Sequence, residues 1–147
     1  MLLRQHGRNH IVIDDNFINL ENLIGNSRPY ILIVDDTAII LRNIKSLLDS
    51  RYSVAVAPSG RHALQSIKKH KPDLILLDYD MPEMNGKEVM KILKASPDTQ
   101  DIPVVFLTAM DSRETVLELL TLEPAGYLLK PVNSAALFDT IYKILGR

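Results

Sequence analysis

Several polar side chains in this chain stand where short aliphatic runs end. Asp35 and Asp36 close ILIVDD (31–36), Asp78 follows DLILL (73–77), Thr108 follows IPVVFL (102–107), and Lys130 closes GYLLK (126–130). Three carboxylates, a hydroxyl and an ammonium gathered at one place suit a divalent cation and a phosphoryl group. Crowded carboxylates repel, which raises one or more of their pKa values unless a cation neutralises them. Mg²⁺ fits that need, because it takes one or two carboxylates, keeps several waters and leaves positions for phosphate oxygens. A carboxylate facing such a metal can also attack phosphorus as a nucleophile.

The elements that must bring these groups together are legible in the periodicity. YILIV (30–34), YSVAVA (52–57), DLILL (73–77), IPVVFL (102–107) and GYLLK (126–130) are aliphatic runs suited to strands buried on both faces. Helix-length segments separate them. AIILRNIKSLLDS carries Ile40, Ile44, Leu47 and Leu48 at helical spacing, HALQSIKKH carries Leu64 and Ile67, and KEVMKILKA carries Val89, Ile92 and Leu93. TVLELLTLE and AALFDTIYKIL complete the set. Five strands, each followed by a helix, predict a doubly wound α/β domain with a five-stranded parallel sheet, since parallel strands require long right-handed crossovers. In such sheets ligands bind beyond the carboxyl ends of the strands, where strand order reverses. The second strand ends in Ala57-Pro58, with nothing polar enough for chemistry.

A second acidic pair needs separate treatment. IVIDD (11–15) resembles ILIVDD, but it is followed by NFINLENLIGN and then Arg28-Pro29, about two turns and a stop. Asp15 or Asn16 is expected to cap a short helix carrying Phe17, Leu20 and Ile24, with Gly25 ending it. Residues 1–29 are therefore read as an N-terminal extension or linker, and 30–147 as the folded domain.

Composition narrows the function classes. The 147 residues, 46% hydrophobic and 24% charged, suffice for one domain with a real core. A formal charge of −1 supplies no global field for nucleic acid or a membrane surface. The absence of cysteine removes disulfides, thiolate metal sites and cysteine nucleophiles together. No run approaches the roughly 18 residues of a membrane span or forms the apolar core of a secretory leader, so a cytoplasmic location is expected.

The set of motifs ILIVDD, LILLDYDMPEMNG (74–86), VVFLTAM (104–110) and YLLKP (127–131) resembles the receiver domain of two-component response regulators, including the chemotaxis regulators. Residues 36, 78, 108 and 130 are separated by 42, 30 and 22 positions, a family-like spacing. The resemblance covers 30–147 and implies a flavodoxin-like fold with strand order 2-1-3-4-5. It implies that Asp78 accepts a phosphoryl group from a sensor histidine kinase or a phosphotransfer protein. Asp36 and Asp78 would bind Mg²⁺ (or Mn²⁺) directly, Asp35 through water, and Asp80 through its backbone carbonyl. Lys130 would pair with Asp78 and then with the phosphoryl oxygens. Thr108 would hydrogen-bond the phosphoryl group, with Tyr127 turning inward as Thr108 moves. Pro82 and Gly86 would shape the loop after the acceptor, and Lys130-Pro131 would be cis. The face built from the fourth helix, fifth strand and fifth helix would change on phosphorylation and dock an output partner or a second copy.

The sequence also departs from the family. The usual Gly-Ala before the fifth strand is Glu123-Pro124 here. Proline is expected to keep Glu123 extended and to end the fourth helix by that point. Asp80 and Met110 occupy positions that tune dephosphorylation in such domains. One rival reading is a haloacid-dehalogenase-like phosphatase using Asp78 and Asp80, since LILLDYD supplies an aliphatic strand ending in Asp-x-Asp. In those enzymes that motif precedes the acidic pair, whereas Asp35-Asp36 precedes Asp78 here, and Pro82 stands where they have Thr or Val. Another is a degenerate receiver acting only as a binding module, which the complete set of site residues opposes. The expectation is a regulatory domain, at most phosphorylating itself from small donors and dephosphorylating itself. The chain stops at Gly146-Arg147, just past the fifth helix, which fits either a single-domain regulator or a receiver from a longer protein.

Overall fold

The structure is a computed structural model and describes residues 28–109 and 112–147. The expected helix within 15–25 and the acidic pair Asp14-Asp15 lie outside the described residues, as does Met110. Strands β1 (Tyr30–Val34), β2 (Ser53–Ala57), β3 (Leu74–Asp78), β4 (Val104–Thr108) and β5 (Gly126–Leu129) alternate with helices α1 (Ala38–Leu48), α2 (Gly60–Lys69), α3 (Gly86–Lys94), α4 (Arg113–Thr121) and α5 (Ser134–Leu145). The strands form one parallel sheet in the order β2-β1-β3-β4-β5. The expected fold is therefore the observed one.

Alternation along the strands divides the core in two. Leu32, Val34, Ile75, Leu77, Val104 and Phe106 face α2, α3 and α4, packing with Ala63, Val89, Leu93 and Leu119. Ile31, Ile33, Leu74, Leu76, Val105 and Leu107 face α1 and α5, packing with Leu41, Ile44, Leu48, Leu137 and Ile141. Strands β3 and β4 are buried along their whole length, which is why they read as unbroken aliphatic runs. Two helix faces sit slightly differently from the sequence expectation. Helix α1 buries Leu41 with Leu47 half-exposed, and α3 buries Met90 while Ile92 faces outward. A helix spanning about three turns presents only one stripe to the sheet, and its neighbours decide which apolar residue falls just off it.

Glu123 is not extended as expected. Helix α4 does stop before Pro124, but Glu123 takes a left-handed backbone, φ 53°. Its N–H donates to Leu120 O at 3.1 Å, and Ala125 N–H to Val104 O at 2.8 Å. The chain must reverse from helix to strand within a few residues, and the left-handed residue that commonly ends a helix does this despite the cost to a side chain, about 1–2 kcal/mol. The family's glycine at this position would bear that conformation more cheaply. Among the described residues no helix is long and apolar enough to cross a membrane.

Candidate functional site

The carboxyl ends of β1, β3, β4 and β5 lie side by side and hold the expected groups. Asp35 N–H donates to Ala57 O at 3.2 Å, Tyr79 N–H to Leu107 O at 2.9 Å and Lys130 N–H to Thr108 O at 2.9 Å, so the segments leaving the strands are tied to their neighbours. Asp35 is fully buried. It is not the cap of α1, whose N-cap is Thr37; instead its Oδ1 accepts from Thr37 N–H at 2.9 Å. Asp36 is exposed beside it. Asp78, the last residue of β3, is 2% exposed, and its Oδ1 accepts from Lys130 Nζ at 3.0 Å and from Asp80 N–H at 3.2 Å.

Lys130 Nζ also lies 2.9 Å from Asp35 Oδ2, an ion pair bridging the two buried acids. Asp35, Asp36 and Asp78 each bring one carboxylate oxygen to within 4.8 Å of the others. One lysine cannot balance three carboxylates. Burial, above all, lifts the Asp78 carboxyl to about 6, with the Asp35 charge adding to the rise and Lys130 opposing it. Burial pushes the Lys130 ammonium down, but its bonds to Asp35 and Asp78 more than reverse this, so its pKa is raised. Asp78 Oδ2 is buried without a hydrogen-bond partner, and Asp35 Oδ2 has the Lys130 ammonium as its partner. A buried carboxylate oxygen without a partner is costly, and hard oxygen donors around a net negative hollow are what a small divalent cation takes. The residues therefore fit the metal that the acidic cluster suggests.

Thr108 is buried at the end of β4, opposite Leu129. Tyr127 pairs with Phe106 across β4 and β5 and is 39% exposed, so its ring stands outward rather than in the core. The side chain of Asp80 is exposed, and Asp80 does not join the three-carboxylate group. Lys130-Pro131 is cis, as expected. Gly86 opens α3 against the end of β3: a Cβ there would stand 2.5 Å from Asp78 O and 2.9 Å from Tyr79 Cα. Glycine is required because the backbones touch.

Two features were not anticipated from the sequence. Glu83, in the loop after β3, has φ 67°. Tyr79, buried against Phe106 in a T-shaped pair with centroids 5.2 Å apart, donates its hydroxyl to Glu118 on α4. Burial first, and then that carboxylate, push the Tyr79 phenol upward; the phenol hydrogen bond and then Lys87 pull Glu118 below its usual range. Lys87 Nζ lies 3.1 Å from Glu118 Oε2. Tyr79 and Glu118 are 39 residues apart, and only its place next to Asp78 could have marked the tyrosine.

Residues 31–142 match the family described as the response regulator receiver domain. The chain belongs to that family. Among curated relatives of this receiver, chemotaxis protein CheY-3 of Vibrio cholerae is 34% identical over 126 residues, 84% of this chain and 97% of that protein. The protein-glutamate methylesterase/protein-glutamine glutaminase of Trichodesmium erythraeum is 41% identical over 108 residues, 70% of this chain but 30% of the relative. The crystallised chemotaxis response regulator CheY4 of Vibrio cholerae matches with a TM-score of 0.75 and 32% identity, over 81% of this receiver and all of that chain. This receiver thus spans about a third or less of several larger relatives and nearly the whole of the chemotaxis regulators. Receiver domains are regulatory, act in two-component or chemotaxis signalling, typically bind Mg²⁺ at an acidic pocket, and engage a histidine kinase or phosphotransfer partner. The family match gives no support to the dehalogenase-like reading of Asp78 and Asp80.

Proposed function

We propose that this receiver is a phosphoacceptor switch in which Asp78 takes a phosphoryl group from a sensor histidine kinase or phosphotransfer protein. The observation that carries the reading is Asp78 Oδ2, a buried and unpartnered carboxylate oxygen next to Asp35, Asp36 and the Lys130 ammonium. Asp36 and Asp78 would hold Mg²⁺ directly, with Asp35 acting through water and Asp80 through its carbonyl. Bound there, such a cation would neutralise the acidic cluster and draw charge from the phosphoryl oxygens.

Asp78 attacks phosphorus, forming the O–P bond as the N–P bond to the donor histidine breaks and the bonding pair returns to the imidazole. Lys130, held between Asp35 and Asp78, is positioned to follow the charge onto the new phosphoryl oxygens. Thr108, at the end of the adjacent strand, supplies a hydroxyl that gains its phosphoryl partner in one state alone. Its movement makes room for Tyr127 to turn inward from its exposed position. Leu117, Leu120, Tyr127 and Tyr142 leave an apolar surface on α4, β5 and α5, which supports this face as the place where an output partner or a second copy docks. Residues 30–147 are the receiver in this reading, with 1–29 an N-terminal extension or linker. Acetyl phosphate with Mg²⁺ should label the wild type at one site, and Asp78→Asn should abolish the label. Stoichiometric label on that variant, mapped to another aspartate, overturns the assignment.

A further inference from the structure

Helix α4 is thinly attached to the rest of the domain. Of its nine residues only Leu119 is buried, while Leu117 and Leu120 are 54% and 48% exposed. By contrast α3, of equal length, buries Gly86, Val89, Met90 and Leu93. A specific polar tie from α4 to the site end of the sheet is the Tyr79 hydroxyl bonded to Glu118, with Lys87 of α3 on the other carboxylate oxygen. Tyr79 cannot yield easily. Its N–H donates to Leu107 O at 2.9 Å, its carbonyl accepts from Gly86 N–H at 3.0 Å, and its ring is edge-on to Phe106. It follows Asp78 directly, so the backbone carrying the acceptor and the anchor of α4 are one rigid piece.

We infer that Tyr79 and Glu118 are positioning residues that latch α4 to the end of β3 in the unphosphorylated protein and so set the resting bias of the switch. The inference rests on the phosphoacceptor reading above. Thr108 ends β4 and α4 begins at Arg113, so a displacement of Thr108 toward a phosphoryl group pulls on the short segment leading into α4. With α4 tied to Tyr79, that displacement must break or stretch the phenol bond. The bond thus favours the resting arrangement, and a ligand that needs the other arrangement binds more weakly by the fraction of molecules that have it. The half-exposed Lys87 pair is screened by water and contributes little.

The test uses Tyr79→Phe, Glu118→Ala, their double variant, and Glu118→Gln, which retains an acceptor for the phenol. Hydrogen exchange in the resting protein should quicken across 113–121 in Tyr79→Phe and Glu118→Ala, with the strands unchanged, and Glu118→Gln should stay near wild type. Binding of beryllofluoride with Mg²⁺ should tighten by roughly threefold to tenfold in the first two variants, and no further in the double variant. A merely structural bond predicts no tightening. Unchanged exchange over α4, or affinity that is unchanged or weaker in Tyr79→Phe, overturns the latch. Failure of wild-type protein to bind beryllofluoride at Asp78 overturns instead the phosphoacceptor reading beneath it, and the resting-state exchange, which needs no phosphoryl mimic, still decides whether Tyr79 and Glu118 hold the helix.

Discussion

Replacing Asp78 should make the metal-free protein more stable. Asp78 is 2% exposed, and its carboxyl is lifted from an ordinary 3.8 to about 6, mainly by burial. A carboxylate whose folded pKa lies above its unfolded value favours folding fully below the unfolded value and loses that contribution as pH rises through the folded one. At pH 7.5 the ionised group therefore costs the folded state up to roughly 3 kcal/mol, at about 1.4 kcal/mol per pH unit. Asparagine keeps the shape and removes the charge. Lys130 retains Asp35 as a partner, so it is not stranded. Allowing for the lost ion pair at Oδ1, Asp78→Asn should gain about 1–3 kcal/mol in chelator, which moves a urea midpoint upward by about 1 M. By pH 4.5 the gap should shrink by about 2 kcal/mol. Excess Mg²⁺ should also narrow it by stabilising the wild type selectively. An Asp78→Asn protein that is less stable than wild type at pH 7.5, or a gap that ignores both pH and Mg²⁺, would refute the account of Asp78 as a strained buried carboxylate.

The other expectations concern the metal, the switch and the loop. Asp36→Asn should weaken Mg²⁺ binding and Mg²⁺-dependent labelling, whereas Asp14→Asn with Asp15→Asn should leave both intact and cost at most the ~0.5–2 kcal/mol of a lost cap. Titration of each protein with Mg²⁺ checks this, and equal defects would mean that the N-terminal pair shares the site. Thr108→Ala should still be labelled at Asp78 but should blunt the NMR shifts that beryllofluoride produces within 108–142; shifts confined to the metal loops, or spread equally to β2 and α2, refute the switch. Gly86→Ala forces a Cβ to 2.5 Å from Asp78 O and should cost about 1–3 kcal/mol in urea unfolding while slowing labelling; a wild-type midpoint would contradict the close approach.

The sheet and the acidic pocket were legible because the strands are runs of aliphatic residues, and β1, β3, β4 and β5 are closed by polar groups where β2 is not. A residue buried on both faces of a parallel sheet leaves no periodic ambiguity, and a polar side chain at its carboxyl end needs a reason to be there. What escaped were features with no local signature. Nothing near Tyr79 announces a partner on α4, since the pairing depends on two elements meeting only in the folded domain. Glu83 and Glu123 take left-handed backbones that composition assigns to glycine or asparagine, because closure of the loop after β3 and reversal after α4 outweigh the local preference. Proline at 124 correctly marked the end of α4 but misdirected the conformation before it.

Charge counting connects the pocket to the switch. Asp35, Asp36 and Asp78 with Lys130 sum to a formal charge of about −2 when all are ionised, so one divalent cation brings the cluster near neutrality. Converting the Asp78 carboxylate to an acyl phosphate replaces about one negative charge by up to two, leaving the loaded pocket negative by about one. In a buried setting that excess cannot be dispersed by water, and it is met by drawing donors toward it. Lys130 is already there, bound to both acids. Thr108 is the neighbouring buried hydroxyl on a strand end, and in the proposed switch its movement would be what reaches α4 and Tyr127. In the proposed switch, the same burial that raises the Asp78 carboxyl would make a phosphorylated pocket pull on its surroundings. A substitution that opens the pocket to water should therefore leave Asp78 reactive yet reduce the response of residues 113–142 to phosphorylation, and an undiminished response in such a variant would separate the switch from the electrostatics of the site.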